Sequence, residues 1–233
     1  MTPFVNVLWP SAPPPSGITI ESVATTTHGD AYEYSSIPVN LPTGVQAGDV
    51  LWMAFRTGHN PTVHATPAGW TVADQSGTVA MISWFYRIAD GNEGATVTID
   101  VTSDGTTPRT SPADAIVYRL SGVATNEATW YAINYTGSTP NPAVSAPWGS
   151  ALNLFITDFS SRYSDWTVTA HPTNYVDLVF DPGGSSNANV PAIASVHRFL
   201  EAASDTVGDW TINAPSGILS ERYAVAVFRP VGT

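Results

Sequence analysis

Short runs rich in Val, Thr and aromatic residues fill the chain, and Gly or Pro interrupts them every few positions. That is strand composition with turn punctuation, and helical periodicity is nearly absent. The pattern predicts a first set of strands near 17–26, 37–41, 49–56, 70–73, 79–88, 95–102 and 113–120. A second set follows near 128–135, 151–159, 166–170, 175–180, 192–200, 209–213 and 221–229. Asp90-Gly91-Asn92, Asp104-Gly105 and Asp181-Pro182-Gly183-Gly184 supply turns between them. Trp52, Trp70 and Trp84 sit in the densest apolar runs and read as core.

The second set resembles a copy of the first. Gly48-Asp49-Val50-Leu51 matches Gly149-Ser150-Ala151-Leu152, and Pro67-Ala68-Gly69-Trp70 matches Pro172-Thr173-Asn174-Tyr175. Tyr86-Arg87-Ile88 matches His197-Arg198-Phe199, Thr98-Ile99 matches Thr211-Ile212, and Val117-Tyr118-Arg119 matches Val227-Phe228-Arg229. A repeat of about 100 residues is too long for a solenoid unit or a propeller blade. The expected fold is therefore all-β: a two-sheet antiparallel jelly-roll-like sandwich built from two similar halves. The Thr136–Pro142 stretch reads as the join, which divides a single sandwich of residues 17–233 into halves of about 17–136 and 137–233. Two separate small β domains are the other arrangement such a repeat permits.

Residues 1–16 stand apart. Pro10, Pro13, Pro14 and Pro15 forbid a central strand and favour an extended polyproline conformation. Before them lies an apolar stripe of Phe4, Val5, Val7, Leu8 and Trp9, which reads as a docking element on an extended arm. The start lacks the basic residues and long apolar stretch of a signal peptide, and no run approaches a membrane span.

Charge narrows the function. Against 19 acids stand 8 cations, all Arg, for a net charge of −11. The arginines are scattered, so no basic surface tracks a phosphate backbone and nucleic acid is not an expected partner. With no Cys, disulfides, thiolate metal sites and cysteine nucleophiles are excluded. No serine-hydrolase elbow, P-loop, dinucleotide fingerprint or H-E-x-x-H occurs. His59 and His64 with Asp49, the Asp90–Gly94 turn, and Asp177 with Asp181 are the nearest approaches to a metal set, but none has a recognised ligand spacing. The expectation is a non-enzyme without metal or cofactor. Trp130, Tyr131 and Trp148 form the one aromatic group that a sugar ring could stack on, although packing explains them as well. The repeated arginines, Arg119 with Arg229 and Arg87 with Arg198, read as rim residues bonded to acids or carbonyls.

Gly48-Asp49-Val50-Leu51, Pro67-Ala68-Gly69-Trp70-Thr71, Phe85-Tyr86-Arg87-Ile88-Ala89 and Ala115–Val123 together resemble a β-sandwich module of tailed bacteriophages. That family comprises jelly-roll virion proteins: capsid decoration (cement) proteins and tail or fibre components. The resemblance implies a structural virion protein, on the capsid surface rather than the tail, with no catalytic residues. It further implies the major capsid protein or other virion proteins as partners, and a homo-oligomer of the trimeric kind. The alternative it leaves is a tail or receptor-binding module contacting host glycans.

Overall fold

The computed structural model describes residues 17–29, 35–58, 62–76, 81–134, 143–162, 166–181, 190–213 and 222–232, with backbone alone for 125–134. Among these residues there is no helix. The first half carries β1 (Thr19–His28), β2 (Ser36–Asn40), β3 (Val50–Thr57), β4 (Val63–His64), β5 (Thr71–Ser76), β6 (Ile82–Ile88), β7 (Thr96–Thr102) and β8 (Ala113–Ser121). The second carries β9 (Val123–Asn134), β10 (Ala143–Ser145), β11 (Leu152–Ser161), β12 (Thr167–Ala170), β13 (Val176–Asp181) and β14 (Ala192–Glu201). It ends with β15 (Ser204–Thr206), β16 (Thr211–Asn213) and β17 (Arg222–Pro230).

The strand orders repeat. In the first half a five-stranded sheet runs β1-β8-β3-β6-β5 and a smaller one runs β2-β7-β4. The second half forms β9-β17-β11-β14-β13, and the pairs β10-β15 and β12-β16 stand where the smaller sheet stood. First strand beside last, then third, then sixth, is the interleaved order of a jelly roll. Here it occurs once per half. All described ladders are antiparallel.

Local chemistry repeats with the topology. Gly69 at φ +79° and Asn174 at φ +68° occupy the same turn, and the amides of Trp70 and Tyr175 close it onto Pro67 and Pro172. Asn is one of the few residues that tolerates this left-handed backbone. With Arg119 and Arg229 taken as equivalent, the ladders set Trp52 opposite Tyr118 and Leu154 opposite Phe228. Val50 therefore corresponds to Leu152, one residue away from the match read by sequence. Tyr86 likewise corresponds to Phe199 rather than His197. The two-residue difference at Tyr86 keeps the same strand face, whereas the one-residue difference at Val50 exchanges the faces, which the ladders and not the sequence match decide.

Three cores hold the chain together. Leu51, Met53 and Phe55 pack outward against Ile37, Val39, Ile99 and Val101 of the small sheet. Phe155, Phe159, Trp166, Trp210 and Tyr223 do the same in the second half. The third core lies between the two large sheets and joins Trp52, Trp84 and Tyr118 to Leu154, Ile156 and Phe228. Each large sheet is thus covered on both faces, and every residue of β3 is buried. A strand buried on both sides shows a continuous apolar run instead of alternation.

The halves meet elsewhere than at the Thr136–Pro142 stretch. Because β9 pairs with β17, the second sheet begins at Val123, and only Gly122 separates it from β8. Gly122 has φ +70°, and a Cβ there would lie 2.5 Å from the carbonyl oxygen of Gly17. The amide of Val231 closes onto the Gly122 carbonyl at 2.9 Å. Glycine is the residue that both constraints require. The turn chemistry of the Thr136–Pro142 stretch resembles a linker, but the stretch lies outside the described residues and falls in sequence between β9 and β10, the first two strands of the second half.

A shared central core predicts that heat or denaturant unfolds both halves in one transition. Trp52→Ala should lower stability by about 3–5 kcal/mol without splitting that transition. Calorimetry resolving two separate transitions in the unmodified chain would show that the halves fold independently.

Candidate functional site

Three arginines at the sandwich rims are engaged by acids. Arg119 Nε donates to Asp49 at 2.6 Å and Nη1 to the Thr43 carbonyl. Arg87 bonds Asp90 and Glu93, and Arg198 bonds Asp205, which also accepts the Tyr175 hydroxyl at 2.9 Å. These are the rim roles expected of the repeated arginines. Asp49 is committed to Arg119 and the Gln46 amide. His64 is fully buried between Thr57 and Ser83, at 2.9 and 2.8 Å. Burial, with the nearby charge of Arg56, holds its pKa down at about 3, so it stays neutral. The oxygens of Asp90 and Glu93 accept amides of their own turn. Among the described residues no three His, Asp or Glu stand together as a metal set. His59 lies outside them.

Polar chemistry concentrates in the central core. Asp158 on β11 accepts the indole N–H groups of Trp52 and Trp84, from the other half, at 3.3 and 3.2 Å. The Tyr118 hydroxyl donates to Ser195, the register partner of Asp158, at 2.8 Å. Arg56 crosses the same interface to Ser160 at 2.7 Å, and Thr27 donates to Asp181. Burial pushes the Asp158 carboxyl up to about 6, opposed by Ser195 and the two indoles. Burial and the charge of Asp181 also raise Asp114, which stands beside Arg56 in the ladder. Apart from the exposed Thr27, each side chain in this cluster is sealed from solvent or nearly so. Its work is to fix how the halves dock, since a displaced partner leaves a buried polar group unpaired.

One recess opens to solvent beside this cluster. It is a groove of about 520 Å³ between the edge strand β1 and the β13–β14 hairpin. Ile18, Ile20 and Val23 form one wall, Val179 and Phe199 the other, and Tyr118 closes the floor. Both flanking edges are bulged. The β1 register slips between Ile20 and Ser22, and the β13 register slips between Val176 and Val179. Bulges add twist and bend the strand that carries them, which parts the two edges and leaves a trough. Asp177, inside the second bulge, takes φ +53° and sits 3.5 Å from His197. His197 is almost fully buried, and its pKa is lowered by that burial, with Asp177 acting in the opposite sense. The groove is therefore an apolar trough with one carboxylate on its lip. Of its described hydroxyls, Ser22 bonds the Thr43 carbonyl and Tyr118 bonds Ser195.

The residues singled out by sequence lie away from it. Phe4, Val5, Val7, Leu8 and Trp9 fall outside the described residues. Trp130 and Tyr131 lie on β9, where their backbones pair with Ala226 and Val225. Trp148 packs half-buried against the second core and donates its indole N–H to Asn153 at 2.8 Å. The side chains of Trp130 and Tyr131 fall outside the described residues. Sequence reading missed the groove and the Asp158 cluster, because both are made by residues far apart in the chain.

A raised Asp158 pKa has a definite sign. The native state holds this proton up to about pH 6, while the unfolded chain releases it near 3.8. Stability must then fall as pH rises through that window, by about 3 kcal/mol at most from this group. Asp158→Asn keeps an acceptor for the indoles and should remove that slope. Denaturant midpoints measured from pH 4 to 7 check it: parallel profiles for the two proteins would refute the raised carboxyl. No protein-family model, curated protein or solved structure matches the chain.

Proposed function

We propose that the chain is a non-enzymatic structural component of a tailed-phage particle, a capsid decoration protein that docks on the shell and reinforces it. The observation that carries this reading is the doubled jelly roll closed around one buried core. A reinforcing protein must transmit load without deforming, and four sheet layers whose two large sheets share a packed core make a stiff block. Its rim arginines Arg87, Arg119 and Arg198 are bonded to acids of the same rims, which suits a packing unit more than a scaffold for catalytic loops. Residues 1–16, with Phe4, Val5, Val7, Leu8 and Trp9, hold each copy in the assembly. The major capsid protein or another virion protein and further copies of the chain are the partners, with a trimer the state that the resemblance implies. The glycan-binding alternative is less supported, since Trp148 packs half-buried against the second core, which leaves less of its ring for a sugar.

The test is to mix the full chain with particles lacking their decoration protein, sediment them, and heat them. The expected outcome is co-sedimentation at a fixed ratio to the shell subunit and a higher temperature of shell rupture. Deleting residues 1–16 should abolish most of the binding. A chain that stays in the supernatant at saturating concentration would overturn the assignment.

A further inference from the structure

The groove between β1 and β13–β14 asks for an apolar, extended occupant. It follows β1 from Ile18 to Val23, about 17 Å of strand. Phe199 on its wall, and Val176 and Leu178, which flank the lining residue Asp177 in β13, are each at least 39% exposed, three of the six large apolar side chains exposed among the described residues. A cluster of this kind marks a contact surface.

The chain itself supplies a segment of matching chemistry. Residues 1–16 contain no charged side chain and carry five large apolar ones between Phe4 and Trp9. Lack of charge matters here, because the molecule carries −11 and Asp177 stands at the lip of the groove. An acidic peptide would be repelled. The arm is rooted at Gly17, pressed against Gly122 at the near end of the groove.

Length decides whose arm can enter. Pro10–Ser16 are seven residues, and in a polyproline conformation they span about 22 Å. Pro13, Pro14 and Pro15 keep the stretch next to the root from reversing. A reversal at Ser11-Ala12 would run the stripe back beside the four-residue Pro13–Ser16 leg, about 12 Å long, so that Leu8 and Trp9 stop short of Ile18 and only Phe4 and Val5 could enter the near end of the groove. An arm that continues outward carries its apolar stripe clear of its own molecule. We infer that the groove is the seat for residues 4–9 of a second copy, so that copies link arm into groove. The contact is heterologous, and it either closes a ring or propagates along a surface. This rests on the reading of the chain as a many-copy assembly and names the arm's partner within it.

Sedimentation velocity of the full chain, without particles, tests the link. The expected result is reversible self-association at micromolar concentration. Trp9→Ala on the arm and Phe199→Glu in the groove should each weaken it by about thirtyfold, the loss of one aromatic anchor. A labelled peptide of residues 1–16 should bind the full chain, compete with self-association, and fail to bind Phe199→Glu. Thr19→Arg, at an exposed position on the rim, gives the same readout should Phe199→Glu lose its native circular dichroism. A full chain that stays monomeric throughout and leaves the peptide unbound would overturn the inference. Self-association insensitive to the arm and groove substitutions would overturn it equally. Neither result bears on shell binding, which the particle experiment reads separately.

Discussion

The architecture depends on burying both faces of each large sheet. A jelly roll covers one face of its larger sheet with its smaller one and leaves the other to be covered from outside. Here the outside is the second copy. Trp52, Trp84 and Tyr118 on one side and Leu154, Ile156 and Phe228 on the other could not face water in such numbers. Either half alone would expose that surface. The two outer cores are local consequences of strand pairing within a half, whereas the central core exists only because the halves are covalently joined and docked.

Apolar surfaces of this kind slide easily, because hydrophobic burial has no direction. The polar cluster supplies the direction. Asp158 can accept two indoles only when β11 lies across β3 and β6 in one register, and Arg56 reaches Ser160 under the same condition. A slip by one residue would strand a carboxylate and two indole donors in the core. The cost of desolvating Asp158 is visible in its raised pKa, so the cluster contributes specificity more than net stability. The repeat is broken here, since Asp158 corresponds to Arg56 and Leu154 to Trp52. Two identical faces would dock in more than one way, and unlike faces dock in one.

Much of this was legible in the sequence, for identifiable reasons. Strand content and the repeat show because turn residues act locally: Gly69 and Asn174 mark the same left-handed turn 105 residues apart. The rim roles of Arg87, Arg119 and Arg198 were legible because charges at strand ends have few alternatives. The join was not, because a single Gly122 gives a weaker signal than the Pro-rich stretch after β9. Nor was Asp158 separable from the other acids. In Phe155-Ile156-Thr157-Asp158-Phe159 every residue is buried, so no alternation tells the inner face from the outer. The groove was invisible for a third reason: its walls come from residues 18–23 and 177–199, and the bulges that part them are properties of pairing.

The groove also follows from the demand that forms the central core. Two five-stranded sheets laid face to face leave four edges, and an open edge invites pairing with another chain. Along β1 and β13 the chain blunts the edges with bulges, which prevents continuous strand addition. Bending those strands apart withdraws Ile18, Ile20 and Val23 from Val179 and Phe199, so blunting the edge leaves apolar wall uncovered. The same geometry that suppresses indiscriminate sheet growth therefore creates a seat for a narrower guest. Such a guest must be apolar and uncharged and must make few demands on the strand ladder. A proline-bounded stripe meets those conditions, since Pro3 and Pro10 at its two ends lack the N–H that would carry a strand ladder beyond it.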